Sequence, residues 1–165
     1  MKRSINYILT GLIMIILQVT VFSFNPVQGV FPDLLLIIVL FSGLFEGSNS
    51  GLITGFLLGM IQDLLLGGMF GVFTITKTVL GGLAGLLTTK VYKSNFIVPP
   101  VLVLISSIIQ EFLVLLLSQK LVLRIDYLTA FKEKIMPLSL YNMVLSIVIY
   151  ICFYYWSYNG SKYYE

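Results

Sequence analysis

Apolar residues run along this chain in long blocks, and most polar residues fall between the blocks. A membrane helix needs about 20 mostly apolar residues, fewer when it is tilted or packed among neighbours. Six runs meet that requirement, at residues 5–24, 32–45, 52–66, 72–88, 97–117 and 138–156. The punctuation between them is of the expected kind. Asn25-Pro26 closes the first run, and Pro32 with Asp33 opens the second as a helix start. Glu46-Gly-Ser-Asn-Ser reads as a tight turn with Asn49 or Ser50 as a cap, Gly67 to Gly71 as another turn, and Thr88 to Asn95 as a polar connection. Pro99-Pro100 falls in the first turn of the fifth run, and Pro137 precedes the sixth. The predicted fold class is all-α, a polytopic membrane protein of six transmembrane helices forming a single integral membrane domain. The second run is short, and it either crosses or is re-entrant.

Within the third run the small residues are themselves periodic. Gly51, Gly55 and Gly59 stand four apart and lead to Asp63 at the next step, so on a helix they form one nearly bare stripe that ends in a carboxylate. In water each interior glycine would cost about 1 kcal/mol against alanine. In a bilayer the stripe instead lets another helix approach closely. Gly81 and Gly85 repeat the spacing in the fourth run. These five glycines are predicted helix-packing positions, facing either the chain's own helices or a helix of another protein.

Composition sharpens this picture. With 58% apolar and 10% charged residues the chain falls outside the soluble class. It has no histidine and one cysteine, Cys152, which leaves no zinc site, disulfide framework or histidine-based catalytic group, and no metal site is expected. No phosphate loop, nucleophile or acid pair suggests catalysis or a bound cofactor, so the reading is of a non-enzyme. The net charge of +3 is too small and dispersed for nucleic-acid binding. It serves better to set orientation. Lys2, Arg3, Lys90, Lys93 and Lys162 lie on the side of the termini, against Lys120, Arg124, Lys132 and Lys134 in one long connection. The first-helix bias places both termini in the cytoplasm. The first run lacks a small-residue cleavage site and reads as an uncleaved span. Phe153 to Trp156 suits an interfacial aromatic belt.

Polar residues inside the runs fall at one depth, measured from the connections opposite the termini: Gln18, Asp63, Lys77, Glu111 with Gln110 beside it, and Asn142. An ionisable group in hydrocarbon calls for a named partner. Asp63 and Lys77 flank the Gly67 to Gly71 turn at levels roughly 3 Å apart. They are therefore predicted to pair across that hairpin, with Glu111 as a second acceptor. The layer is either a network tying helices together or a ligand or ion pocket opening on the outer face. No chain of titratable groups leads from it to the other face, as a proton relay would require.

Pro32-Asp33-Leu34-Leu35-Leu36, Glu46-Gly47, the Gly51, Gly55, Gly59, Asp63 ladder closed by Gly68 and Gly71, and Pro137 with Tyr141-Asn142 together resemble the family of the bacterial rod shape-determining protein MreD. The resemblance covers about residues 5 to 156. It implies a bundle like the substrate subunits of energy-coupling-factor transporters and a non-enzymatic scaffold role in the cell-elongation complex, which organises peptidoglycan synthesis. Implied partners are MreC, RodA, a class B penicillin-binding protein and, indirectly, the MreB filament, at the bacterial plasma membrane. The Ser118 to Pro137 connection would offer a surface to MreC. The alternative is a small-molecule-binding subunit of an energy-coupling-factor-type transporter. That reading needs a cavity with convergent polar groups, and the first run, with only Gly11 small, lacks a small-residue docking motif.

Overall fold

A computed structural model describes residues 2–22, 31–66, 70–87, 96–118 and 127–161, and these are helical apart from short turns. Outside the described residues lie the Asn25-Pro26 turn, Gly67 and Gly68, the connection carrying Lys90 and Lys93, the stretch with Lys120, Arg124 and Asp126, and Lys162. The side chains of the proposed aromatic belt at Phe153 to Trp156 are likewise outside the description.

Six helices make the bundle among the described residues. They are α1 (Lys2–Leu17, continued by a π-helical turn at Gln18–Phe22), α2 (Leu34–Glu46), α3 (Ser48–Leu66), α4 (Val72–Leu86), α5 (Val98–Ser118) and α6. Helix α6 consists of Tyr127–Ala130, a π-helical Phe131–Ile135 and Met136–Ser161 in succession. Segments Ser48–Leu66, Val98–Leu116 and Leu128–Cys152 are long and apolar enough to cross a membrane. Asn6–Thr20, α2 and α4 are shorter apolar helices.

Helix α2 is the axis of the molecule. Every residue from Leu34 to Leu44 is buried, as expected of a helix that is apolar on all faces. It packs against α1, α3, α4, α5 and α6. Its 13 residues make a rod of only about 20 Å, which suffices because protein rather than lipid surrounds it. Phe41 anchors the core near its C-terminal end, edge-on to Phe45 at 5.6 Å and to Tyr150 of α6 at 6.2 Å between ring centres.

Two boundaries differ from the sequence expectation. Helix α3 begins at Ser48 and not after a five-residue turn, because Gly47 alone reverses the chain. Its φ of 95° lies in the left-handed region open to glycine, and its carbonyl accepts the N–H groups of Ser50 and Gly51, each at 3.1 Å. The last helix does not begin after Pro137 but runs through it from Tyr127. Proline offers no N–H to the preceding turn and crowds its carbonyls. The wider π-helical turn at Phe131–Ile135, immediately before, gives the ring room without ending the helix.

Outward faces are apolar. Ile75, Val79, Leu83 and Leu86 of α4 and Leu9, Ile13 and Ile16 of α1 are exposed at helical spacing. The buried polar side chains turn inward. A charged interior inside an apolar exterior is the arrangement of a membrane protein.

Candidate functional site

The centre of the polar layer is Asp33, the residue that opens α2. One carboxylate oxygen, Oδ1, caps the helix by accepting the Leu36 N–H at 3.0 Å, where the helix dipole also favours negative charge. The other, Oδ2, forms an ion pair with the Lys77 ammonium of α4. It also accepts from Gln110 Nε2 of α5 at 2.7 Å and from Gln62 Nε2 of α3 at 3.4 Å. Lys77 donates further to Gln110 Oε1 at 2.9 Å and lies 5.6 Å from the centre of the Phe73 ring. Helix α6 joins through Asn142, whose Oδ1 accepts the Asp33 N–H at 2.9 Å while its Nδ2 donates to Ser107 Oγ at 3.0 Å. One residue thus gathers five helices, its carboxylate meeting α3, α4 and α5 and its backbone N–H meeting α6. Lys77, Gln110, Ser107 and Asn142 are fully buried, and Asp33 and Gln62 nearly so.

The expected Asp63 to Lys77 pair is not formed. Asp63 instead caps α4, its Oδ1 accepting the Phe73 N–H at 3.1 Å and its Oδ2 the Thr74 N–H at 2.9 Å and the Thr74 hydroxyl at 2.5 Å. The physical reason lies at Gly71. This residue occupies the N-cap position of α4 with φ 98° and has no side chain to cap with, so the free N–H groups of the first turn draw the carboxylate of the facing helix. Glu111 is not the second acceptor of Lys77 either. It meets Lys134 at 3.2 Å, tying α5 to the π-helical turn of α6. Of the predicted layer, the structure joins Lys77 and Asn142 through Asp33 and engages Asp63 and Glu111 elsewhere. Gln18 lies half-buried in the π-helical end of α1.

Asp33 and Pro32 enter the sequence reading as a helix start, and Gln110 only as a neighbour of Glu111. Their role in the layer was nonetheless signalled. Asp33 opens an apolar run on the side where Lys77 lies, so it is a third acid, beside Asp63 and Glu111, near that level. Gln62 carried no signal beyond being the polar residue beside Asp63. Pro32 is buried directly ahead of Asp33, while Pro137 and Tyr141 are half-buried in α6 on either side of the buried Ser139.

The glycine stripe is occupied by the chain's own α4. A Cβ built on Gly51 would strike the Gly81 carbonyl, one on Gly55 would lie 2.7 Å from the Lys77 carbonyl carbon, and one on Gly59 would lie 2.6 Å from Thr74 Cα. From the other side, a Cβ on Gly81 would come within 2.5 Å of the Gly51 carbonyl oxygen, and one on Gly85 would strike the Ser48 backbone. All five glycines are buried. The stripe therefore presents no groove to a foreign helix.

A second, neutral cluster holds the far end of α2. Ser42 shares a 2.8 Å hydrogen bond with Ser50 and accepts one of 2.8 Å from the Thr54 hydroxyl, while Ser48 donates to the Gly82 carbonyl at 2.8 Å. Among the described residues no group of histidine, cysteine, aspartate and glutamate could hold a metal ion. The chemistry available to the layer is that of mutual neutralisation and helix fastening.

Fold and layer together define an all-helical integral membrane protein whose buried charged groups, among the described residues, are spent on its own assembly. The family model of the rod shape-determining protein MreD matches residues 2–158, nearly the whole sequence. The chain belongs to the MreD family, whose role is rod shape determination. No curated protein matches the chain, and no solved structure does.

Proposed function

We propose that this chain is a non-enzymatic, multi-pass scaffold of the bacterial plasma membrane. It binds MreC and, with RodA and a class B penicillin-binding protein, helps to organise peptidoglycan synthesis during elongation, with MreB engaged indirectly. The observation that carries this reading is the family match over residues 2–158. The internal commitment of Asp33, Lys77, Asp63 and Glu111 supports it, because a bundle that satisfies its own charges suits a fixed platform. Lys2 and Arg3, in the first turn of α1, favour a cytoplasmic side for both termini. Partners then meet the large apolar side chains on the outer faces and the Ser118 to Pro137 segment, since the glycine stripe is filled from within.

The test is purification from native membrane in mild detergent with identification of what accompanies the chain. MreC and the cell-wall synthases are expected. Recovery of a transporter coupling subunit or a tightly bound vitamin in their place would overturn the scaffold reading.

A further inference from the structure

Asp33 Oδ2 brings two unsatisfied groups together. Lys77 carries three N–H donors; two are used, on Asp33 and on Gln110 Oε1. The third has no hydrogen-bond acceptor among the described residues and lies only near the Phe73 ring. Gln62 presents the complementary defect, for its Oε1 is buried with no hydrogen-bond partner. Its Nε2 reaches Asp33 Oδ2 at 3.4 Å, a long bond that leaves the amide loosely held. Rotating the amide offers no remedy, since it would set Oε1 against the carboxylate. The ammonium with an unused donor and the amide with an unused acceptor thus meet at the same oxygen, and two nitrogens that share an acceptor at ordinary angles stand roughly 4–5 Å apart.

We propose that this is a binding site for a single ordered water molecule, which accepts from the Lys77 ammonium and donates to Gln62 Oε1. Water is the ligand whose chemistry fits. It both donates and accepts, and it is neutral, as a site in which Asp33 already balances Lys77 requires. Buried waters characteristically make about three hydrogen bonds to otherwise unsatisfied polar groups. A third partner is at hand in Asp33 Oδ1, which receives only the Leu36 N–H. The charge pair at the centre of the bundle is then hydrated by one molecule, and Gln62 is the residue that holds that molecule in place.

A density map of the purified protein in lipid nanodiscs, at a resolution that resolves waters, tests this directly. The expected result is a peak 2.6–3.2 Å from both Lys77 Nζ and Gln62 Oε1, as for an ordinary hydrogen bond. Direct contact between Lys77 and Gln62 with no peak between them overturns the proposal. The variant Gln62→Met keeps the side-chain length but removes the acceptor, and it should lose the peak while Asp33, Lys77 and Gln110 stay in place. A peak that survives in Gln62→Met also overturns it, because the water would then owe nothing to Gln62. The wild-type map decides the question even if the variant fails to fold.

Discussion

The two ends of α2 are fastened by opposite means. At its N-terminus a charged residue, Asp33, draws in side chains from α3, α4, α5 and α6. At its C-terminal end Ser42 exchanges short neutral bonds with Ser50 and Thr54 of α3 alone, and Gly43 abuts the Gly81 carbonyl. Side-chain length accounts for the difference. Lysine and glutamine stems let helices whose axes stand well apart converge on one point, whereas serine and glycine act only where backbones already touch. The charged end therefore depends on partner identity, because removing one member strands the rest. The small-residue end depends on shape, because almost any added atom collides.

The largest effect is expected at the charged end. Asp33→Ala leaves the Lys77 ammonium buried without a counter-charge, and breaking a buried pair in this way costs about 3–5 kcal/mol. Thermal unfolding in detergent should show a severe loss. Asp33→Asn, which keeps an acceptor, should fall between this variant and the wild type. Combining Asp33→Asn with Lys77→Met should recover part of the loss, since replacing both charges is milder than stranding one. A single Asp33→Ala variant as stable as the wild type would remove Asp33 from the centre of the layer.

Next in size is Gly51→Ala. The new methyl would meet the backbone of Gly81, which cannot rotate aside, so α3 and α4 must separate at a cost of about 1–3 kcal/mol. The contrast to make is with Gly47→Ala, where nothing lies within 4 Å and only the positive φ opposes the change. With ψ at 174° as well, the backbone lies where only glycine is at ease, and strain of that kind is worth about 1–3 kcal/mol, but it should leave the α3 to α4 spacing unchanged. Disulfide trapping between cysteines placed on the two helices would separate the cases. Equal disruption by both substitutions would show that contact at the stripe is not what sets the spacing.

Much of this architecture was legible beforehand, and the part that was not has a single cause. Six apolar runs and the glycine spacing are both properties of position along an axis. Choice of partner is a property of rotation about it. Asp63 and Lys77 share a level, but Lys77 lies one helical step from Gly81 and two from Gly85, on the face of α4 that packs against α2 as well as α3. That face carries the ammonium to Asp33. Asp63, at the end of the stripe Gly51, Gly55, Gly59, is carried to the start of α4, where Gly71 left the helix uncapped. Pro137 was misleading for another reason. A proline normally marks a boundary, and only the π-helical turn before it allows the helix to continue.

Asp63 is the third position at which the comparison can be sharpened. Asp63→Ala removes a cap supplied from a neighbouring helix, and N-cap losses cost about 0.5–2 kcal/mol. The charge pair should survive, because Lys77 is neutralised by Asp33 and not by Asp63. Hydrogen exchange should quicken in the first turn of α4, at Phe73 and Thr74, and remain slow at Leu36. If Asp63→Ala destabilises the protein as strongly as Asp33→Ala, the division between cap and ion pair is wrong.

The smallest effect is expected at Ser42. Its hydroxyl bonds to Ser50 and receives Thr54, yet Thr54 also has the Ser50 carbonyl at 2.5 Å as a second acceptor. Ser42→Ala therefore strands little, since Thr54 keeps a bond within its own helix and Ser50 loses one partner. Hydrogen bonds between membrane helices average about 0.6 kcal/mol in double-mutant cycles, and the loss here should be of that order. Alanine adds no volume, so the Gly43 to Gly81 contact beside it is undisturbed. The informative partner is Ser42→Val, which loses the same bonds as alanine and places two more methyl groups in a fully buried site. If the neutral end is governed by shape, Ser42→Val should destabilise well beyond Ser42→Ala in the same thermal assay. Equal losses would mean that hydrogen bonding, and not fit, governs both ends of α2.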